Sequence, residues 1–437
     1  MSQAKLILSQ SPPPSVPLRF FVTAPVFAIA GAILTLWYGP VTFASRWSAQ
    51  LLAVTHLLVI GFMAMVMTGA LIQVVSVLLG GTIADIKTKS ASVHVCLILG
   101  TISMAAGFVS SDPWFMRAAV LLLGVAFILF AWIMLSGISS STTRSDSGIG
   151  ISLALISLMI TVLLGLWLAS GYAWNGIQVQ RSLTDTHLTC GLLGWVGILL
   201  ITVAYEVVPM FQLTPPYPGK VTSWLAPVHL LALIIWSSWF ITSESYISQF
   251  GGVVAAATTL LFAGVTLWLQ YHRKKKQPDT VVWFWRSGIA SLSAAVCLWL
   301  YAQTGTDILQ QPEWQLLLGT TVILGFAISV INGMLYKIVP FLIWLHLSIR
   351  VTELKLSRRL IPNIKKMIPD TRIRPQFWLH LLSLVLFLAT AFRPDWFLKP
   401  AALVFAVSNI MLLINIIHAL QIFSRTGAEI ILAGSES

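Results

Sequence analysis

Long apolar runs separated by short polar stretches dominate the chain, and they predict helices that cross a membrane. About 20 consecutive apolar residues cross a bilayer as an α-helix. The runs are continuous rather than alternating, which does not fit a membrane β-barrel, and helices satisfy every backbone polar group in lipid. Twelve spans are predicted, at residues 19–42, 50–80, 91–110, 114–137, 149–173, 186–212, 223–242, 250–271, 280–303, 314–347, 375–393 and 397–423.

A recurring pattern divides these spans into three groups of four. The second, sixth and tenth spans each contain a glycine followed by an aromatic residue, and a polar residue lies twelve positions after the glycine. The glycines are Gly61, Gly194 and Gly325, and the polar residues are Gln73, Glu206 and Lys337. Packing of small residues between membrane helices explains the glycines but not the polar position that all three spans share. We therefore predict an all-α fold of three pseudo-threefold four-helix repeats at 19–148, 149–279 and 280–437, after a lead-in over 1–18.

Composition and charge placement add an orientation to these helices. The chain is 57% hydrophobic and only 9% charged, whereas soluble domains carry roughly a quarter charged residues. Of the 26 lysines and arginines, 19 fall on the side of the N-terminus, five on the opposite side and two inside spans. Because cytoplasmic loops are enriched in Lys and Arg, we predict a bacterial inner-membrane protein with both termini in the cytoplasm. Topology then explains the net charge, and no nucleic-acid partner is expected.

The segment 348–374 is the longest predicted connection, and it carries eight of those cations. We predict it to be a basic cytoplasmic loop. Such a loop contacts the anionic surface of the lipid bilayer, and it offers a docking site for a membrane or cytoplasmic protein partner.

Polar residues lie at two depths in the predicted spans. His56 and His187 lie near the outer ends of the second and sixth spans. An inner set, near the cytoplasmic side, consists of Gln73, Glu206, Lys337, His94, His229 and His380. Charged groups inside a membrane are costly and usually pair, so Glu206 and Lys337 are candidates for one neutralising pair. The inner set is either a packing and specificity device or a proton-relay or ion site. In a further interpretation, its three histidines are interfacial residues that hydrogen-bond to carbonyl groups.

The two outer histidines are the candidate cofactor and metal ligands. Neutral imidazole is a common ligand of haem iron and of copper. Met63 and Met67 share a helical face with His56, and Cys190 follows His187 by three residues. Their sulfur atoms suit Cu(I), although Met and Cys are also ordinary core residues. No Walker A, HExxH or nucleophile-elbow motif occurs, so no catalytic residue is assigned.

Twelve spans in three units, with a histidine near the outer end of the second span, resemble subunit I of the haem–copper oxidases. The segment 55–81 also resembles bacterial oxidase-like proteins and NnrS-type haem proteins linked to nitric oxide. The resemblance implies that His56 is a haem b ligand, and His187 is a loose match for the family's copper ligand on the sixth helix. The tenth span lacks the family's His-x-His and the seventh lacks its His-His pair, so a complete oxygen-reducing centre is not expected.

Three functions remain open at this stage. The first is a haem-binding, oxidase-like protein of respiratory, nitric oxide or copper metabolism. The second is a proton-coupled transporter or channel that uses Glu206, Lys337 and the inner histidines. The third is a non-catalytic assembly or accessory subunit that docks a partner through 348–374.

Overall fold

The computed structural model describes residues 10–141, 145–174, 177, 183–238, 245–275, 277, 279–305 and 307–435. Within that part the chain is helical, and twelve helices are long and apolar enough to cross a membrane. They are α1 (Ser15–Tyr38), α2 (Ala49–Leu78), α3 (Ile86–Ser110), α4 (Pro113–Ser139), α5 (Asp146–Ala173), α6 (Leu183–Gln212), α7 (Gly219–Ser237), α8 (Ser245–Tyr271), α9 (Thr280–Ala302), α10 (Pro312–Glu353), α11 (Asp370–Thr390) and α12 (Pro394–Ser435).

Each predicted span coincides with one of these helices, so the prediction of a multi-pass, all-α membrane protein is confirmed at that level. The last residues predicted for the seventh span, 239–242, and the first nine of the lead-in lie outside the described residues. Side chains set several of the helix starts. Ser48, Asp112, Ser145 and Asp279 each accept a hydrogen bond from a backbone N–H at the start of α2, α4, α5 and α9, which satisfies a donor that the first helical turn leaves free.

The basic segment 348–374 is not a loop over its whole length. The tenth helix continues to Glu353 and the eleventh begins at Asp370. The connection between them contains a 3₁₀ turn at Arg358–Leu360 and a short helix at Ile364–Met367. Hydropathy marks where a chain leaves the apolar layer, whereas Lys, Arg and Glu are good helix formers that carry a helix on into water. The predicted loop was therefore too long at both ends.

Three helices, those that share the glycine and polar pattern, occupy the centre of the bundle. In their most apolar windows, 78% of α2, 67% of α6 and 72% of α10 is buried, against 33–50% for the other nine helices. Consecutive helices pack against each other along the chain, and α12 packs against α1 to close the bundle. We call the end at which the central helices begin the upper end. The lower end carries the described chain termini.

All three central helices contain a π-helical segment, which the sequence did not predict. The segments are Leu57–Ala64, Thr189–Ile198 and Thr321–Ile328. The π segment of α10 contacts those of both α2 and α6, so the wide turns meet in the middle of the bundle. Long π-helical stretches are rare and occur often at functional sites.

The three repeat glycines lie inside these π segments, and each faces the helix that precedes its own. A Cβ on Gly61 would overlap the Phe27 ring of α1. On Gly194 and Gly325 it would lie 2.8 Å from Ser157 Oγ of α5 and 2.7 Å from Ser291 of α9. The absent side chains therefore set how closely each central helix approaches its neighbour.

A second contact of the same kind lies eight residues further along each central helix. Gly69 and Gly333 face Phe20 of α1 and Phe284 of α9, where a Cβ would lie 2.8 and 2.9 Å from the Phe Cβ. In α6 the corresponding residue is Thr202, and the space is made on the other side by Gly150 of α5. Here the larger residue is on the central helix α6 and the glycine is on α5, the reverse of the other two pairs. The two helices still approach each other closely.

We expect Gly61→Ala to destabilise the protein by about 1–3 kcal/mol, because the added methyl overlaps a buried ring. Gly264→Ala in α8 is the matched control, since no heavy atom lies within 4 Å of its Cβ position and alanine favours helix by about 1 kcal/mol. Thermal unfolding in detergent, followed by the monodisperse fraction on size exclusion, measures both. Equal unfolding midpoints for the two variants would contradict the packing described.

Candidate functional site

A cavity of about 930 Å³ occupies the upper half of the bundle. It lies between the three central helices and is lined by residues from all three predicted repeats. We call it the upper cavity. Most of its lining is aliphatic or aromatic, and its size lies within the range of small-molecule and cofactor sites. Both outer histidines, His56 and His187, line it, so the structure brings together the two residues that the sequence singled out.

His56 lies on the last turn of α2 before its π segment. Its Nδ1 donates a hydrogen bond to the carbonyl of Leu52, one turn earlier, at 2.7 Å. The ring also contacts Phe108 of α3, with 5.4 Å between the ring centroids. Among the described residues, Nε2 has no hydrogen-bond partner. The imidazole is therefore oriented through one nitrogen and free at the other.

His187 lies in the first turns of α6 and is oriented by the neighbouring helix α5. Its Nδ1 donates to the carbonyl of Thr161 at 3.0 Å. The ring packs on Gly165, one turn further along α5, where a Cβ would lie 2.8 Å from the imidazole Cε1. Sequence reasoning missed both Thr161 and Gly165, because a backbone carbonyl and an absent side chain leave no motif.

The two imidazoles have the same protonation pattern. A carbonyl oxygen only accepts hydrogen bonds, so Nδ1 of each ring carries its proton, and in the neutral ring the Nε2 lone pair is free. Protein ligands of metals are commonly held in this way, with one ring nitrogen bonded to a carbonyl and the other directed at the metal. This donor set fits a haem held by one or two histidines.

A copper site of three or more protein ligands is not supported by the described residues. They contain no group of three His, Cys, Asp or Glu side chains placed to hold a metal ion. Met63, Met67 and Cys190 do not belong to the described lining of the upper cavity. The metal-donor side chains of the described lining are therefore the two imidazoles, the thioether of Met104 and the carboxylate of Asp185, which is paired with Arg46.

An ion pair closes part of the upper end of the cavity. Arg46, in the connection before α2, bonds to Asp185 at the start of α6. Both residues line the cavity, and the Arg46 guanidinium also stacks 4.5 Å from the centroid of the Trp47 ring. The two charges neutralise each other, so the pair gives the mouth of the cavity no net charge.

At the lower end, the predicted pair between Glu206 and Lys337 is not formed. Lys337 Nζ lies 2.9 Å from Asp279 Oδ2, and Ser147 donates to Glu206 at 2.8 Å. The third equivalent residue, Gln73, donates to Ser11 at 2.8 Å. Each of these polar residues therefore bonds to the start of the helix before its own, at the edge of the apolar layer. The sequence could not indicate this, because the partners are ordinary Ser and Asp residues at helix starts.

The inner histidines do not join those residues in one cluster. His94 bonds to Thr23 of α1 at 2.9 Å, His229 to Thr258 of α8 at 2.7 Å, and His380 to Ser329 of α10 at 2.7 Å. Gln73 and Glu206 alone of the predicted inner set line a second cavity of about 140 Å³ between the central helices. We call it the lower cavity. The described structure thus divides the predicted polar cluster into separate hydrogen-bonded pairs.

Double-mutant cycles test these pairings. We expect Lys337→Met and Asp279→Asn to be coupled by about 1 kcal/mol in unfolding free energy, because they remove two ends of one partly buried ion pair. The cycle that combines Lys337→Met with Glu206→Gln is the control, and its coupling is expected to be near zero. Asn at 279 keeps a side-chain oxygen for the start of α9. Coupling between Lys337 and Glu206, with none between Lys337 and Asp279, would show that the pair predicted from the sequence forms instead.

No protein-family model matches the chain, and no curated protein matches it at a significant level. The resemblance to haem–copper oxidase subunit I therefore stays a prediction from residues and architecture. The upper cavity and its two histidines are the structural features on which a function can be proposed.

Proposed function

We propose that the protein binds a haem b in the upper cavity, where His56 and His187 are the residues that would hold it. One observation carries the proposal. Two imidazoles on different central helices line one large apolar cavity, and each is held at Nδ1 by a backbone carbonyl with Nε2 free. Most buried polar side-chain atoms have a partner, and the cavity that His56 and His187 line is large enough to hold a ligand for their free Nε2 atoms.

The chain's own part in this function is to bind and orient. When bound, a haem supplies one-electron transfer or binding of a diatomic gas such as nitric oxide. The carbonyls of Leu52 and Thr161 hold the two rings, and the apolar lining would exclude water from a bound haem. Arg46 would meet a haem carboxylate at the mouth of the cavity only by exchanging its bond with Asp185. A role in respiratory or nitric oxide metabolism follows from such chemistry.

The architecture that we propose around this site is a threefold repeat. It is supported by the three π segments, by the two tiers of close approach between each central helix and the helix before it, and by the equivalent bonds of Gln73, Glu206 and Lys337. The proposed location is a bacterial inner membrane with both termini in the cytoplasm, supported by the excess of Lys and Arg at the lower end.

The transporter alternative retains one supporting observation, which is that Gln73 and Glu206 line the lower cavity. It requires an ionisable site shared between helices, whereas Glu206 and Lys337 each bond to a separate helix start. Coupling between these two residues in the cycle described above is the result that it needs. We therefore place it second. The accessory-subunit alternative would use the basic connection between α10 and α11.

The haem proposal predicts an optical spectrum. Protein purified in mild detergent from haem-replete cells should show a Soret band with about one haem iron per chain, and His56→Ala and His187→Ala should each shift or abolish the band. His272→Ala is the matched control, because His272 makes the same Nδ1 bond to a carbonyl one turn earlier but is exposed at the lower end. A colourless, iron-free preparation would refute the proposal.

A more selective test uses two glycines of the same cavity. Gly165→Ala places a methyl group against the His187 ring, so we expect it to reproduce the spectral change of His187→Ala while His56 is intact. Gly319→Ala, on the α10 wall of the cavity, is expected to leave the spectrum unchanged, since no heavy atom lies within 4 Å of its Cβ position. If both variants keep the wild-type spectrum, His187 is not a ligand.

A further inference from the structure

An unusual group of cations lies at the lower end of the bundle, where α8 connects to α9. Arg273 lies two residues after the end of α8 and is only 8% exposed. Its Nε and Nη1 atoms are buried and have no hydrogen-bond partner among the described residues. Two buried guanidinium nitrogens without acceptors are costly, because they have lost their water and gained no acceptor.

The nearest acidic group does not relieve this cost. Asp279 is bonded to Lys337 and helps to start α9. Burial lowers the pKa of Arg273, the Asp279 charge raises it and the nearby Arg286 lowers it again. From residue 271 to residue 286 the sequence contains five Lys or Arg and a single acid, Asp279. The group therefore carries uncompensated positive charge.

Arg286 stands on the outer face of α9, towards the bilayer. It is exposed, and so are Ala290, Ala294 and Cys297 at helical spacing along the same face. Six residues separate Arg286 from the start of α9, which is about 9 Å of helix. A cation at that depth reaches the headgroup layer by extending along the helix.

The Arg286 side chain and the backbone beside Arg273 are fixed by the surrounding structure. Arg286 Nε donates to Gln270 at 3.3 Å, and Gln270 donates to Gln212 at 3.0 Å. Both glutamines are almost fully buried. The backbone N–H of Lys274 donates to the carbonyl of Leu213 at 2.9 Å, which ties the connection after α8 to the end of α6. The site is thus built before any ligand arrives.

We propose that Arg273 and Arg286 form a binding site for the phosphate group of an anionic phospholipid. A phosphate has the oxygen acceptors that the free guanidinium donors require. A phospholipid is favoured over a soluble phosphate as the ligand because Arg286 lies on the lipid-facing side. The exposed side chains of Trp268, Tyr271 and His272 also mark the membrane interface beside the site. This inference is independent of the proposed haem.

Native mass spectrometry of the detergent-purified chain, titrated with phosphatidylglycerol or phosphatidylethanolamine, tests the site. We expect the chain to prefer phosphatidylglycerol, and Arg286→Gln and Arg273→Gln each to weaken its binding about tenfold. Lys365→Gln is the matched control, as it removes one exposed cation from the connection before α11, and it should leave binding within about twofold. Because Arg286 is exposed, its variant should fold even if the Arg273 variant does not.

Three results would overturn the proposal. The first is equal binding of the two phospholipids. The second is a loss of binding in Lys365→Gln as large as in Arg286→Gln. The third is complete displacement of the lipid by millimolar inorganic phosphate, which would assign the site to a soluble anion. None of these readouts depends on haem content, so the outcome is separate from that of the haem proposal.

Discussion

The lipid interior offers no water to backbone or side-chain polar groups, and the whole arrangement of this protein depends on that constraint. Helices satisfy the backbone, and close packing has to hold the helices together without a hydrophobic driving force between them. Glycines therefore stand where each central helix meets the helix before it. Gln73, Glu206 and Lys337 bond to Ser11, Ser147 and Asp279, which lie at or just before the starts of the preceding helices. The free Nε2 atoms of His56 and His187 differ from the unpartnered Nδ1 of His380 in that their rings line a large cavity.

The two candidate ligands are held by different means. His56 bonds within its own helix, as His272 and His346 also do, so that bond alone does not distinguish it. His187 bonds to another helix and rests on a glycine of that helix, which links its position to the packing of α5 against α6. His187 is thus oriented by the contact between α5 and α6, whereas His56 is oriented by its own helix.

Hydropathy predicted the twelve helices, because it reports which segments can lie in lipid, and the shared spacing singled out the three that lie at the centre. These patterns did not predict features that depend on which residue a side chain contacts in the folded protein. The pairing of Glu206 with Lys337 was inferred from opposite charge, yet Asp279 lies closer to Lys337 once α9 begins beside it. The ends of α10 and α11 were misplaced because charged residues end a membrane span without ending a helix. His56 and His187 were found by residue type, whereas the carbonyl of Thr161 and the space at Gly165 become visible only in three dimensions.

The π segments have a consequence for the register of the central helices. An α-helix turns by about 100° per residue, and a wide turn accommodates extra residues without continuing that rotation. In α2 the segment Leu57–Ala64 separates His56 from Gln73. Winding the same residues as regular α-helix would add that rotation and turn His56 away from the cavity while Gln73 kept its bond to Ser11. Deleting one residue within the segment would instead restore α-helical winding and leave both residues facing as they do. The wide turn thus lets the upper part of the helix keep its facing although the chain there carries extra residues.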